Sequence, residues 1–269
     1  MFEFVNWLRV IAAIFITNSH YADVWPNASL AFGGQLGNNL FFILSGFCLY
    51  NVKESFPKWY ARRVLRIFPV VWITNIIYLG VDYFCINNFS DFIHFFIYPT
   101  GFHFVGTIMV MYIMLYVVRT IQNRFKFKIE YAMIFIFVFF LGIYIIMFDK
   151  SIYHIDSVSE KWVWFMFSES ILMGLLLREK YEKISKDIHC YDLIKVLLLF
   201  GAYFVGKKTF SNIQICAPLQ ILQPIIVVTL TTSITILFIK MQKNNFFESK
   251  IKCLNPFIAF FPQLHWKYI

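Results

Sequence analysis

Residues 131–148 read YAMIFIFVFFLGIYIIMF, a run without a single charged side chain. A helix needs about 20 mostly apolar residues to cross the hydrocarbon core of a bilayer. This run therefore reads as a transmembrane segment, and others like it stand on both sides of it. Apolar segments cover residues 4–21, 37–52, 67–86, 101–121, 162–178, 192–206 and 219–239, and a last one begins near 254. With 131–148 that makes nine. Composition agrees: 59% of the chain is hydrophobic, 14% is charged, and Phe occurs 34 times. A soluble domain carries about 25% charged residues. So much apolar surface exceeds what one water-soluble core can hide, and lipid is the solvent that accepts the rest. The expected fold is all-α, a polytopic transmembrane helical bundle forming a single membrane-embedded domain over residues 1–269. The stretch 91–99, DFIHFFIYP, is too short to span and is expected to lie in the interface. Gly46 and Pro69 mark places where local kinks are expected.

Orientation follows from the loops. The net charge is +9, and the positive residues collect in alternate connections. Lys53, Lys58, Arg62, Arg63 and Arg66 lie between the second and third segments. Arg119, Arg124, Lys126 and Lys128 follow the fourth, Arg178, Lys180, Lys183 and Lys186 the sixth, and Lys240, Lys243, Lys250 and Lys252 the eighth. The intervening loops are poor in Lys and Arg. Cytoplasmic loops carry the excess of Lys and Arg, so the N-terminus is expected inside and residue 20 near the outer end of the first helix. The basic charge reads as membrane topology, and no nucleic-acid partner is expected. The five cysteines are scattered without a CxxC pair, and the histidines do not make a metal site by spacing. The first apolar run has no basic leader and no small-residue cleavage site, and reads as a retained span.

A few polar residues stand out against this background. Arg9 sits inside the first segment, where a charge costs about 3 kcal/mol on insertion scales. Such a residue faces a polar cavity or extends its long side chain to the interface. His20 follows eleven positions later, three helical turns on and so on the same face, about 16 Å further along the axis. A histidine there is either a general base or an interfacial residue bonded to a loop. In GNNLFFILSGFCLY, residues 37–50, Ser45-Gly46 lets a neighbouring helix approach closely. Ser45 is not in a nucleophile elbow. Arg62 and Arg66 share a helical face and Arg63 adjoins Arg66. A cluster of this kind grips phosphates or simply anchors the loop inside. Glu169, in FSESIL, is a carboxylate within the sixth segment that can orient a His or pair with an Arg.

Taken in order, these residues resemble the acyltransferase 3 family of bacterial membrane acyltransferases. The resemblance rests on Arg9 and His20 in the first helix, on GNNLFFILSGF at 37–47, and on Arg62-Arg63-x-x-Arg66-Ile-Phe-Pro at 62–69. Beyond residue 70 the likeness is one of hydropathy and of the placement of Gly174. The resemblance implies about ten helices, so a chain ending within its ninth segment is expected to be incomplete at the C-terminus. It also makes His265 the counterpart of a late family histidine. The implied reaction is O-acylation of an envelope carbohydrate at the inner (plasma) membrane, commonly with acetyl from acetyl-CoA. On that reading His20 is the base that activates an acceptor hydroxyl, Arg9 positions the donor or stabilises developing charge, and Arg62, Arg63 and Arg66 hold the donor's phosphates. No metal is expected. A polysaccharide-precursor transporter and an inactive truncated relative are the alternatives that share these features.

Overall fold

The computed structural model describes residues 2–98, 103–147, 163–212 and 219–246. Its described residues form helices joined by short connections, with no β-strand among them. They are α1 (Glu3–Ser19), α2 (Gly34–Cys48), α3 (Phe56–Gly80), α4 (Phe89–Phe92), α5 (His103–Phe125), α6 (Ile129–Met147), α7 (Val163–Glu179), α8 (Cys190–Asn212) and α9 (Leu219–Lys243). Each of the first eight expected segments finds its helix. The ninth, with His265, lies outside the described residues. The stretch 91–99 becomes α4 and a π-turn over Ile93–Ile97. Asn88 caps α4 by accepting the Asp91 N–H at 2.9 Å.

Among the described residues, four helices are long and apolar enough to cross a membrane by length and composition: Phe56–Gly80, Phe104–Phe125, Ile129–Met147 and Ile221–Lys243. Their outward faces confirm the solvent. On α6, Ile134, Phe135, Val138, Phe139, Ile145 and Ile146 are all exposed. Contiguous apolar surface on this scale is not tolerated facing water, whereas lipid covers it at no penalty.

The centre of the bundle is built from shorter helices. α2 has 15 residues and α1 and α7 have 17 each. α2 is buried nearly all round and packs against α1 on one side and α7 on another. Glycine makes both approaches possible. A Cβ at Gly37 would stand 2.5 Å from the Ala12 carbonyl of α1. At the α2–α7 crossing the relation is reciprocal. A Cβ on Gly46 would meet the Ile171 carbonyl at 2.0 Å, and one on Gly174 would meet the Ile43 carbonyl at 2.0 Å. Small residues of this kind let helices pack backbone to backbone in lipid. The crossing is completed by the Phe42 and Phe167 rings, stacked 4.4 Å apart, and by a bond from the Ser170 hydroxyl to Asn39 Oδ1. The close packing expected of Gly46 is thus present.

The described parts of the basic connections gather at one end. Lys180 pairs with Glu130 at 2.7 Å and Lys240 with Asp192 at 2.9 Å. Gln122 donates to Glu179 at 3.0 Å, and Lys243 donates to the Tyr181 and Ile184 carbonyls. Phe2, Phe47 and Tyr181 surround the Arg178 guanidinium, which lies 4.5 Å from the centre of the Phe2 ring. The alternation of charge read from the sequence corresponds to this single basic end.

One boundary is corrected. The sequence puts the third segment at 67–86, opening at Pro69. In the structure α3 begins at Phe56, with Pro57 in its first turn, and Pro69 lies inside the helix. Lys58, Arg62, Arg63 and Arg66 therefore lie on α3 itself, in keeping with the helical face read for Arg62 and Arg66. Their charges lower the hydropathy of the first three turns, which is why those turns do not register as part of the span.

Candidate functional site

α5 packs against α3 on one side and lightly against α2 on the other, and a cavity of about 230 Å³ lies between these helices and α1. α1 contributes Arg9, α2 contributes Phe41, Leu44 and Ser45, α3 contributes Ile67, and α5 contributes Phe104, Val105, Ile108 and Tyr112. Arg9 is half-buried on the flank of α1, beside the stripe of Phe4, Val5, Leu8 and Ala12 that α1 buries. Its side chain borders a mainly apolar hollow whose other polar groups are one serine and one tyrosine. This is the cavity-facing arrangement that an intramembrane charge requires.

The other polar groups of the cavity are Ser45 and Tyr112. Tyr112 is buried, and Ser45 lines the cavity beside it. Of the sequence-predicted site residues, the structure places Arg9 on this cavity and leaves Arg63 and Arg66, on α3, outside its lining. Arg63 has its Nε buried without a hydrogen-bond partner among the described residues, and its guanidinium lies 5.4 Å from the Trp59 ring centre. A buried donor left unpaired is costly, and an anion beside it would remove the cost. Arg66 is exposed. Arg62 is differently placed: it is ion-paired with Glu54, and half of its side chain is open to solvent.

His20 is not in this cavity. α1 ends at Ser19, and His20 follows it as an exposed residue at the start of the connection to α2. Its imidazole makes no hydrogen bond among the described residues, so both ring nitrogens are open to an incoming group. The connection itself is held by Asn18, two positions before the histidine. Asn18 Nδ2 donates to the Leu30 carbonyl at 2.8 Å and the Phe32 carbonyl at 3.0 Å, and Oδ1 accepts from Trp25 at 3.1 Å. Gly33, with φ of 104°, turns the chain into α2, where a Cβ would stand 2.9 Å from the Phe15 ring.

Two residues escape a reading of the sequence. Tyr112 lies in VMYIMLY, where aromatic and aliphatic residues alternate without any polar signal. Arg119 reads as a topology charge at the end of a span, yet it is buried. Its Nε donates to the Tyr50 carbonyl at 2.8 Å, and its guanidinium lies 3.8 Å over the Tyr50 ring. With Tyr116, which donates to the Glu54 carbonyl at 3.0 Å, it ties α5 to the 49–55 connection and so sets one wall of the cavity. Glu169, expected to orient a His or pair with an Arg, does neither among the described residues.

Compared with known proteins, residues 2–260 match the model of a family described as an acyltransferase domain. No curated protein and no solved structure matches the chain.

Proposed function

The chain belongs to the acyltransferase 3 family, and from that membership we propose that it transfers acetyl from acetyl-CoA to a hydroxyl of a cell-surface polysaccharide or of its lipid-linked precursor. It is a membrane acyltransferase. The proposal adds the donor, the acceptor and the placement as a multi-pass protein of the inner membrane, with the basic end in the cytoplasm. The observation that carries it is Arg9 lining the cavity beside Ser45 and Tyr112.

Acetyl-CoA is a polyanion with a thioester at the end of a long arm. Arginines at the basic end supply fork-shaped donors for its phosphates. Arg63 and Arg66 carry this role most directly, and Arg62 joins them when Glu54 releases it. The mainly apolar cavity beyond them accepts the arm, and Arg9 faces the thioester carbonyl there. Arg9 and His20 do not act on the same atom at once, because eleven helical residues separate them by about 16 Å. His20 takes the proton of an acceptor hydroxyl at the far end. The hydroxyl oxygen bonds to the acyl carbon, the carbon–sulfur bond breaks, and CoA leaves with a proton on its sulfur. The reading requires the acyl group or its donor arm to reach from the Arg9 cavity to the His20 end.

Membranes holding the full chain are incubated with radiolabelled acetyl-CoA and envelope glycan. Label enters the glycan with native His20, and His20→Ala lowers it by at least about 100-fold, the usual contribution of a general base. Insertion, measured by membrane extraction, is unchanged. Acetylation retained in His20→Ala refutes the catalytic assignment.

A further inference from the structure

A second cavity lies on the opposite side of α7. α6 and α9 each pack on α7 and scarcely touch one another. Between them is a hollow of about 140 Å³ lined by Phe137 of α6, Phe165 and Glu169 of α7, and Pro224, Val228 and Thr229 of α9. Its rim is lipid-facing, for Val138 and Ile225 beside it are 59% and 40% exposed. Glu169 is only 8% exposed, and its Oε1 has no hydrogen-bond partner among the described residues. No cationic side chain pairs with it among the described residues. A carboxyl in this position has no internal reason to be there, since a buried polar group without a partner is destabilising.

The polar groups lining the hollow are few: Glu169 presents its carboxyl and Thr229 one hydroxyl. Everything else is hydrocarbon. A complementary ligand is an aliphatic chain ending in a hydrogen-bond donor. At about 30 Å³ per water-sized group, the hollow takes a hydroxymethyl head and a few further carbons. The rest of the chain leaves between α6 and α9 into lipid.

We propose that the α6–α7–α9 hollow is a binding site for the hydroxyl head of a single-chain membrane alcohol, with Glu169 accepting its hydrogen bond. An alcohol is preferred to an ammonium because the head arrives through hydrocarbon, where an ammonium's charge is costly. The site is separate from the Arg9 cavity and does not depend on the acyl-transfer reading.

The test uses the full chain in lipid nanodiscs with a hexadecanol bearing a photoreactive diazirine next to its head. Labelled peptides are located by mass spectrometry. Label is expected in α7 and α9 around Glu169 and Val228. Excess hexadecanol competes it away, and hexadecyl methyl ether, which has no donor, competes at least about fivefold less well, as one hydrogen bond allows. Glu169→Leu lowers labelling about fivefold, Glu169→Gln retains most of it because the amide oxygen still accepts, and Val228→Phe removes it by filling the hollow. Each variant is first checked for unchanged elution and thermal unfolding. Because Val228→Phe leaves the carboxyl in place, it serves as the second probe if Glu169→Leu fails to fold. Equal competition by the ether, labelling unchanged in Glu169→Leu and Val228→Phe, no labelling of α7 or α9, or competition by hexadecylamine in place of hexadecanol each overturns the assignment.

Discussion

Adding one methyl group at the α2–α7 crossing should damage the protein about as much as a core truncation does. In Gly46→Ala the new Cβ would lie 2.0 Å from the Ile171 carbonyl oxygen, and in Gly174→Ala 2.0 Å from the Ile43 carbonyl oxygen. Both obstacles are helix backbone, so no side chain can swing aside. Reaching an ordinary contact of 3.4 Å demands that the helices separate by at least 1.4 Å at the crossing. A gap of 0.5–1 Å already forfeits roughly a quarter to a half of a dispersion contact, and the neighbouring Phe42, Ile43, Phe47, Phe167, Ile171 and Leu175 are all buried. The bond between Ser170 and Asn39 is lost as well. Overpacking of about 1–3 kcal/mol together with about 1 kcal/mol for that bond gives about 2–4 kcal/mol, or roughly 5–12 °C in the unfolding temperature. Both alanines stand at one crossing, and a separation that relieves one relieves the other. The double variant should therefore unfold close to the single variants, far short of the sum. Gly142 is the control. Nothing lies within 4 Å of its Cβ position, so Gly142→Ala should be neutral or stabilise by up to about 1 kcal/mol. Thermal unfolding of the detergent-purified protein, followed by circular dichroism, measures all four variants. If Gly46→Ala and Gly174→Ala both unfold with the wild type, or if their effects add fully, the backbone crossing is not what holds α2 to α7.

Three further outcomes are expected. Asn18→Ala removes the Leu30 and Phe32 bonds and the Trp25 acceptor; at about 1–1.5 kcal/mol for that set, hydrogen exchange over residues 21–33 should quicken by about tenfold while the bundle's unfolding temperature holds. Arg119→Ala leaves the Tyr50 carbonyl unbonded and removes the cation from its ring, a loss of about 2–4 kcal/mol; thermal unfolding should show it, and Arg119→Lys should recover only part because Lys lacks the planar fork. Glu54→Gln releases Arg62 from a largely exposed pair, so the unfolding temperature should move by no more than about 3 °C, while the donor's KM in the acetylation assay should fall as a third arginine becomes free.

Much of the bundle was legible because lipid imposes a simple rule on sequence: long apolar runs separated by charged turns. The runs at 101–121, 131–148 and 219–239 correspond directly to α5, α6 and α9. α3 shows where hydropathy fails. Lys58, Arg62, Arg63 and Arg66 make its first turns polar, so the apolar run starts about three turns after the helix does. In the site, Arg9 was legible because a charge in an apolar run is conspicuous. Tyr112 was not, since a tyrosine in a span looks the same whether it faces lipid or a cavity. Arg119 was visible as a charge, but nothing local distinguishes a topology determinant from a buried anchor. Gly46 showed one half of the crossing. Its partner Gly174 lies more than a hundred residues away, and only the fold sets the two against each other.

The two faces of α2 explain why packing and cavity occur in one helix. Gly46, Ile43 and Asn39 meet α7, where the backbones touch, whereas Phe41, Leu44 and Ser45 turn to the hollow before α5. Close contact on one side fixes α2, so that α3 and α5 can stand off the other side without loss of the core. They are held at the basic end by Arg119 and Tyr116 on the 49–55 connection. Near the other end Trp72 donates to the Phe96 carbonyl at 2.8 Å and Asn75 donates to that of Phe95. Helix length adds to the effect. At 15 residues, α2 is about 22 Å long, well short of a hydrocarbon core of about 30 Å. A short central helix brings water and headgroups closer to its middle from both ends. Arg9, only six residues into α1 and so about 9 Å from its start, then needs no more than the hollow beside Ser45 and Tyr112 to keep its charge solvated. The intramembrane arginine, the glycine crossing and the shortness of α2 are one solution to a single problem, which is to place a cation inside the membrane next to a wall that does not move.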